Sequence, residues 1–399
     1  DVSIGKHPCN ACGGDMVWSP RQQALVCPYC GSQAQWSPAA PGAPGTIVER
    51  DLDQGLAAAG HQRGWGEAKR EVRCQSCQAL SVFDPRHVAR RCDFCGSAAI
   101  IEQSPSEQAI TPESLLPFQL SDGQVRDAIR RWYGSRWFAP NRLKRAALTD
   151  TLHGVYLPYW TFDAHVDAAW QAEAGHYYYV TVTSRDSQGN TVSRQERRTR
   201  WVPASGGLQH FFDDVLVAAS SGVHADLLRQ VEPFPTSTNL RAYSPEYVRG
   251  WTVERYQVTL PDAAKQAGST MEQQTRALCA AAVPGDTQRN LRVQSHYSGR
   301  TFKHVLAPVW LVGYTYGSRN FQIVVNGYTG AIAGQRPYSV WKIVLAVIAA
   351  LRVLGLLLLL ARRAPPRCAA GAVSARLNGW LDTGGAAGPA GHPCAPTAG

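Results

Sequence analysis

The stretches Cys27-Pro28-Tyr29-Cys30-Gly31-Ser32 and Cys92-Asp93-Phe94-Cys95-Gly96-Ser97 are two versions of one sequence pattern. A second Cys-x-x-Cys pair precedes each of them, and fourteen residues separate the two pairs in both cases. Two residues between cysteines let both sulfur atoms of a tight turn reach one ion, and four thiolates in a tetrahedron favour zinc. The pattern therefore predicts two zinc ribbons, each with one structural zinc ion. The eight predicted ligands are Cys9, Cys12, Cys27, Cys30, Cys74, Cys77, Cys92 and Cys95.

Four thiolates around one ion leave no coordination position open, so the sequence predicts structural metal sites rather than catalytic ones. The same ligand set also accepts iron, which stays the alternative metal. A small ribbon has little hydrophobic core, so metal binding is expected to supply most of its folding free energy. Paired cysteines at this spacing are typical of a reducing compartment, which predicts that the N-terminal region lies in the cytoplasm.

Changes in composition divide the chain into segments. Proline-rich stretches follow each cysteine unit and predict connectors. Alternating β-rich segments, such as 177–185 and 191–201, predict an α+β body with a mainly antiparallel sheet and a few helices. The predicted segments are zinc ribbon 1 at 5–38, a linker at 39–63, zinc ribbon 2 at 64–102, a connector at 103–118, the α+β body at 119–339, a transmembrane helix at 341–362 and a disordered tail at 363–399.

Local signals place several elements within the body. Ser121, with Gln124 at the capping-box position, predicts the start of a helix that ends near Gly134. A second helix is predicted from Pro261 to about Val283. Further strands are predicted at 291–297, 309–316 and 321–325. A short similarity between 155–160 and 305–310 leaves open a duplicated α+β unit.

Residues 343–361 contain a single charge, Arg352, in an otherwise apolar run. A helix of this length spans about 28 Å, which nearly matches a bilayer core of about 30 Å. We therefore predict a single-pass span in the inner (plasma) membrane near the C-terminus, with a buried core helix as the alternative. More basic residues follow the span than precede it, which favours a cytoplasmic tail. We nevertheless predict a cytoplasmic N-terminal body, because of its thiolates and because large domains do not obey the loop-charge rule.

The formal net charge of +10 is unevenly distributed along the chain. Residues 1–104 contain ten basic and ten acidic side chains, so the ribbons are neutral before metal binding. Each zinc ion held by four thiolates would add two negative charges to this region. Nucleic-acid binding requires a basic surface, so we expect the ribbons to bind a protein partner, with nucleic acid as the less favoured alternative.

Motifs that would indicate catalysis are missing from the sequence. It contains no Gly-x-x-x-x-Gly-Lys-Ser/Thr loop, no His-Glu-x-x-His pair and no Gly-x-Ser-x-Gly motif, so the protein is predicted not to be an enzyme. One alternative stays open, because Asp163, His165 and Asp167 alternate on a predicted strand and would share one face. Cys279 lies among alanines of a predicted helix and is expected to be a core residue.

The tandem ribbons are combined with three further motifs and the final span. These motifs are Leu116-Pro117-Phe118, Gly154-Val155-Tyr156-Leu157-Pro158-Tyr159-Trp160-Thr161-Phe162-Asp163 and Val325-Asn326-Gly327-Tyr328-Thr329-Gly330. Together they resemble a family of bacterial membrane proteins with TFIIB-type zinc ribbons, whose members are often labelled primosomal protein N′ (replication factor Y) or helicase-like. The present sequence departs from a helicase because it lacks the ATP-binding loop.

The resemblance implies proteins that accompany SPFH-domain (flotillin-like) and phage-shock PspA-like proteins and recruit partners to the membrane in envelope stress. The function predicted from the sequence is therefore a non-enzymatic, membrane-anchored zinc-ribbon adaptor with two structural zinc ions. Its predicted partners are proteins, with SPFH-domain or PspA-like proteins as candidates, and the lipid bilayer. The alternative is a membrane-tethered nucleic-acid-binding protein without a helicase motor.

Overall fold

The computed structural model describes residues 8–34, 47–58, 70–83, 91–103, 110–136, 152–185, 191–244, 247–316, 319–335 and 339–363. Its helices are α1 (Leu52–Ala58), α2 (Asp122–Gly134), α3 (Ala225–Val231), α4 (Thr236–Asn239), α5 (Leu260–Ala282) and α6 (Val340–Arg363). Its strands are β1 (Val17–Ser19), β2 (Ala24–Val26), β3 (Gln33–Ala34), β4 (Arg50–Asp51), β5 (Arg70–Cys74), β6 (Leu80–Phe83), β7 (Ile100–Gln103), β8 (Ser114–Leu115), β9 (Leu152–Arg185), β10 (Thr191–Ala218), β11 (Arg241–Ala242), β12 (Thr252–Glu254), β13 (Thr287–Tyr316), β14 (Arg319–Asn326) and β15 (Ile332–Gly334). The α+β class with a mainly antiparallel sheet is as predicted.

Strands β9 and β13 form the centre of the main sheet, whose order is β11-β8-β13-β9-β12-β6-β5-β7. They are antiparallel and pair from Gly175 opposite Thr287 to Leu152 opposite Val312. On its other edge, β9 forms a long hairpin with β10, and β13 forms a shorter hairpin with β14 on its own other edge. The prediction of separate strands at 291–297 and 309–316 was wrong, because both belong to β13. Irregular pairing near 289–292 and 298–301 interrupts the alternation that a sequence pattern detects.

Pro158 in β9 and Pro308 in β13 lie at equivalent places in the two central strands. Beside β9, strand β12 pairs with residues 155–156, and β10 starts to pair only at Tyr159. Beside β13, strand β8 pairs with residues 305–306, and β14 starts only at Val309. Each proline therefore lies where the neighbouring strand changes, so its missing N–H removes no hydrogen bond from a ladder.

These two prolines belong to a duplicated arrangement of elements. The chain first forms β8, α2, β9 and β10, and later forms β12, α5, β13 and β14 in the same order. Strand β8 of the first copy pairs in parallel with β13 of the second, and β12 of the second pairs in parallel with β9 of the first. The duplicated unit that the sequence left open is thus present in the topology, and each copy completes its sheet with a short strand from the other.

Helix α5 covers one face of the long strands. Its buried residues recur every three or four positions, at Leu260, Ala263, Ala267, Met271, Thr275 and Cys279. The facing side of β9 consists of small and apolar residues, namely Ala164, Val166, Ala168, Trp170, Ala172 and Ala174. The alternation along β9 and the helical spacing along α5 therefore supply the two surfaces of one core. Cys279 is fully buried in it, as predicted.

The described residues up to Ser339 form one compact unit, so the ribbons are not separate from the body. Within the predicted linker 39–63, β4 pairs with β13, and α1 begins directly after β4. Within the predicted connector 103–118, β8 pairs with β13, and Phe118 is fully buried. Pro112 and Pro117 flank the short strand β8 in the second segment, but the apolar residues beside them still enter the core.

Helix α6 forms a second unit by itself. Its segment Trp341–Leu359 is long and apolar enough to cross a membrane, and none of it is buried within the described residues. Such a helix is present where the span at 341–362 was predicted. Beyond Arg363, the predicted disordered tail lies outside the described residues.

Truncation of Phe302 tests the core between α1 and the central strands. Phe302 is fully buried, and its ring lies 2.3 Å from the place where a Cβ atom on Gly55 would be. Because truncation leaves a cavity, Phe302→Ala should lower the free energy of unfolding by about 3–5 kcal/mol. The matched control Phe211→Ala, at a residue 46% exposed, should change it by roughly 0.5 kcal/mol. Denaturant unfolding followed by tryptophan fluorescence measures both, and equal losses would contradict this packing.

Candidate metal centres

Each cysteine pair lies in a tight turn that backbone hydrogen bonds close. In the first ribbon, the N–H of Gly13 donates to the carbonyl of Cys9, and the N–H of Gly31 donates to the carbonyl of Cys27. Gly13 and Gly31 have φ angles of +70° and +74°. This left-handed conformation is costly for most side chains, which explains the glycine that follows each pair.

The first cysteine cluster has the geometry of a four-thiolate metal site. Cys9 Sγ lies 3.3 Å from Cys30 Sγ, and Cys12 Sγ lies 3.4 Å from Cys27 Sγ. All four sulfur atoms lie within 4.8 Å of one another. These distances are far longer than the S–S bond of about 2.05 Å in a disulfide. They are close to the edge of about 3.8 Å expected for a tetrahedron with metal–sulfur bonds of about 2.3 Å.

The second cysteine cluster repeats the first. Cys74 Sγ lies 3.6 Å from Cys95 Sγ, and Cys77 Sγ lies 3.6 Å from Cys92 Sγ. Gln78 takes the place of the first glycine, with a φ angle of +64°. The structure therefore brings together all eight cysteines that the sequence predicted as ligands, in two groups that could each hold one metal ion.

The two clusters differ in exposure. Cys12 and Cys30 are exposed, whereas Cys77 and Cys95 of the second cluster are half-buried. Cys30 Sγ lies 3.2 Å from Ser32 Oγ, and hydrogen bonds from the Ser32 side chain and backbone, together with those of Cys9 and Cys12, lower the pKa of the Cys30 thiol to about 6. Thiolate is the form that binds metals and reacts with electrophiles, so the first cluster presents an ionisable sulfur to solvent.

The first ribbon is attached to the body through its three-stranded sheet. The ring of Trp18 in β1 meets that of Tyr247 edge-on, with 4.6 Å between their centres. Gln23 Nε2 donates to the carbonyl of Phe118 over 2.8 Å. Leu25 in β2 is buried in the same core. Cys9 and Cys27 are buried in this core as well, so part of each cysteine turn belongs to the contact with the body.

The second ribbon is attached differently, because its strands extend the main sheet. Strand β6 pairs antiparallel with β12, and β5 pairs with both β6 and β7. Phe94, between Cys92 and Cys95, is fully buried. Gln322 Nε2 donates to the carbonyl of Phe94 over 3.1 Å. A Cβ atom on Gly222 would lie 2.6 Å from the Phe94 ring.

The three residues Asp163, His165 and Asp167 do not form a joint site. Asp163 is buried and lies 3.8 Å from Lys303 Nζ. Asp167 is exposed and accepts a hydrogen bond from Gln209. The ring of His165 packs on that of Phe211, with 4.5 Å between their centres. The three side chains therefore share a face of β9, as predicted, but each has its own partner.

A buried ion-pair cluster was missed by the sequence analysis. Carboxylate oxygens of Asp163, Asp213 and Asp214 lie within 4.8 Å of one another. Lys303 Nζ lies 2.8 Å from Asp214 and 3.0 Å from Glu49, and these contacts raise the pKa of Lys303 although burial opposes the shift. The ammonium group of Lys303 thus compensates part of the negative charge of the two buried carboxylates, Asp163 and Asp214, while Asp213 is exposed. The adjacent pair Asp213-Asp214 beside a β-bulge was the signal available in the sequence.

The difference in exposure predicts an order of cysteine modification. With a thiol-reactive maleimide and a metal chelator, Cys12 and Cys30 should be labelled before Cys77 and Cys95, because reagents reach them directly. Peptide mass spectrometry over a time course gives the rate at each position. Buried Cys279 serves as the control and should be labelled only on unfolding. Labelling of both clusters at the same rate would contradict this difference in exposure.

Glu254 in β12 predicts a pH dependence of stability. It is fully buried and accepts a hydrogen bond from the N–H of Gly222 over 3.1 Å. Burial raises the pKa of Glu254 to about 7, so between about 4.3, its usual value, and 7 the folded state binds more protons than the unfolded one. Stability attributable to this group should therefore fall as pH rises through that window, by at most about 1.4 kcal/mol per pH unit, and level off above it.

The variant Glu254→Gln isolates this effect. It keeps the size of the side chain and removes the titration, so its stability should lack this fall between pH 5 and pH 7, a window set by the raised pKa. Urea unfolding of both proteins at a series of pH values provides the comparison. Glu272→Gln, at an exposed position of α5, is the control and should reproduce the wild-type profile. An unchanged profile in Glu254→Gln would show that another group is responsible.

Comparison with known proteins finds one relative whose similarity to this chain extends well beyond the cysteine motifs. The chain is 24% identical over 341 residues to the "Uncharacterized protein YdjG" of Bacillus subtilis (strain 168), which covers 85% of this chain and 92% of that protein. No protein-family model matches the chain, and no solved structure matches it. The chain is thus similar over most of its length to a bacterial protein whose name states no function.

Proposed function

We propose that the protein is a non-enzymatic, membrane-anchored zinc-ribbon adaptor that holds protein partners at the bacterial inner membrane. The observation that carries this proposal is the pair of closed four-thiolate clusters on one compact unit, followed in the chain by an apolar and unburied helix. A closed metal site stabilises a shape and leaves no position for a reacting group. A stable shape held at a membrane is suited to binding other proteins.

Zinc is the metal that best fits these ligands. The eight cysteines form two groups of four soft sulfur ligands. Zinc binds such ligands in a tetrahedron and has no preference for a different coordination geometry. In the proposed role zinc is structural in both ribbons. The protein residues themselves bind and orient the partner, while the ion stabilises the turns that present them.

The anchoring role rests on helix α6. The apolar surface of Trp341–Leu359 is unfavourable in water, so the helix requires an apolar environment. The described residues of the chain do not provide one. A bilayer satisfies this requirement, with Arg352 as the single charged residue within the span. We place the body in the cytoplasm, because a reducing compartment keeps eight thiols available for metal.

The partner is proposed to be a protein rather than nucleic acid. The described part of the first ribbon carries one acidic and one basic side chain, Asp15 and Arg21. Loaded with zinc, its four thiolates would give it a net negative charge, which repels a polyanion. SPFH-domain and PspA-like proteins are the candidate partners that the family resemblance suggests.

A membrane-tethered nucleic-acid-binding protein is the second candidate, and one feature favours it. The hairpin arm, defined as residues 176–185 of β9 and 191–200 of β10, carries five arginines and one glutamate. Its three consecutive tyrosines, Tyr177, Tyr178 and Tyr179, are 37%, 45% and 65% exposed. Arg197 lies over the ring of Tyr177, 4.3 Å from its centre. Exposed rings between arginines can stack on bases while the guanidinium groups bind phosphates.

Affinity purification distinguishes the two candidates. The tagged full-length protein is extracted from membranes in mild detergent, treated or not with nuclease, and its bound proteins and nucleic acid are quantified. A variant with Arg194, Arg197, Arg198 and Arg200 changed to glutamine is purified in parallel. For the adaptor we expect stoichiometric protein partners that survive nuclease and remain bound to the arm variant.

The opposite result would contradict the adaptor. In that case nucleic acid would co-purify, would elute steeply with salt and would be lost in the arm variant, and no protein would stay bound after nuclease. A protein found only in the membrane-free fraction would contradict the anchoring role of α6.

A further inference from the structure

The two ribbons carry an aromatic residue at the same place in the same turn. Tyr29 precedes the last cysteine of the first cluster, and Phe94 precedes the last cysteine of the second. Their environments are opposite, because Phe94 is fully buried and Tyr29 is 79% exposed. Among the described residues, no other large apolar side chain has so high an exposed fraction.

The surroundings of Phe94 show what such a turn binds. Three residues of the body, Gly222, Gly313 and Gln322, form what we name the knuckle receptor. Gly222 packs directly on the Phe94 ring, since a Cβ atom there would lie 2.6 Å from it. Gly313 lies beneath the turn, where a Cβ atom would be 3.5 Å from the Phe94 carbonyl. Gln322 donates its side-chain amide to that carbonyl.

Within the part of the chain that the structure describes, the corresponding surface of the first ribbon has no such cover. Gly14 occupies the position that Ala79 has in the second ribbon, and the Tyr29 ring lies against it, 2.5 Å from where its Cβ would be. Ala79 is fully buried beside Gly222 and Phe94, whereas Gly14 is only half-buried. The first ribbon uses its strands to contact the body, through Trp18 and its neighbours, and the turn with Tyr29 is left uncovered by the described residues.

We propose that the turn at Tyr29 is a docking point for a protein partner, which covers it as the knuckle receptor covers Phe94. The partner would present a glycine or another small residue to the ring and a side-chain amide to the Tyr29 carbonyl. This inference rests on the proposed adaptor function and gives it a specific contact. Tyrosine is frequent among the residues that dominate binding energy at interfaces, since its rigid ring buries a large area.

Two other occupants are less well matched. A second copy of this chain would have to offer its own knuckle receptor, but that receptor is filled by Phe94 in every copy. Nucleic acid could stack on the ring, but the adjacent metal-bound thiolates Cys12 and Cys30 would bring negative charge close to its phosphates. A neutral protein surface meets neither obstacle.

The test starts with a photoreactive benzoylphenylalanine in place of Tyr29 in the full-length protein, irradiated in cells. The adduct is identified by peptide mass spectrometry, and the identified protein is then produced and titrated against wild type, Tyr29→Ala, Tyr29→Phe and Tyr179→Ala in detergent. Tyr179, an exposed tyrosine of the arm, provides the matched control. Zinc content of each variant shows that the first ribbon is intact.

We expect Tyr29→Ala to weaken binding at least about tenfold. Tyr29→Phe and Tyr179→Ala should bind as the wild type does, because the ring rather than the hydroxyl makes the contact. A partner that binds all four proteins equally would overturn the docking point while leaving the adaptor function standing. An adduct to nucleic acid alone, or no adduct at position 29, would also overturn it. Failure of every protein to bind the wild type would remove the adaptor function itself.

Discussion

The antiparallel pairing of β9 with β13 is the contact on which the rest of the structure depends. Each central strand receives a short strand from the opposite copy of the duplicated unit and forms a hairpin with its own following strand. Pro158 and Pro308 mark the two places where these neighbours change. The second ribbon joins the sheet through β12, so the position of its metal site follows from the register of β9.

The two ribbons illustrate how one local sequence pattern acquires two roles. Their cysteine turns are nearly the same, because the spacing of the pairs and a left-handed residue after each pair determine them locally. Their attachment to the body is different, because it depends on residues outside the turns. The second ribbon buries Phe94 and contributes strands to the main sheet, while the first buries Trp18 and exposes Tyr29. One ribbon therefore forms part of the body's sheet and core, whereas the other keeps an exposed aromatic ring among the described residues, the ring on which the proposed partner contact rests.

Local signals in the sequence were sufficient for the two four-cysteine clusters and for several elements. The capping of α2 by Ser121 and Gln124 and a helix that starts beside Pro261 are both present. Proline and glycine content does not reveal which apolar neighbours enter the core, so the strands β4 and β8 within the predicted linker and connector were not foreseen. The Lys303 ion-pair cluster was missed, because the Asp213-Asp214 pair does not reveal its partners, which lie on strands distant in sequence that pair in the folded sheet.

In the proposed function, two zinc ions, one in each closed thiolate cluster, maintain the shape by which this protein binds its partners. Native mass spectrometry of the full-length protein released from detergent measures how many ions it holds. We expect the mass of the chain plus two zinc ions, and the loss of one ion in either Cys12→Ser or Cys77→Ser. A metal-free protein that keeps its fold, or a chain that carries iron instead, would refute the structural role of zinc.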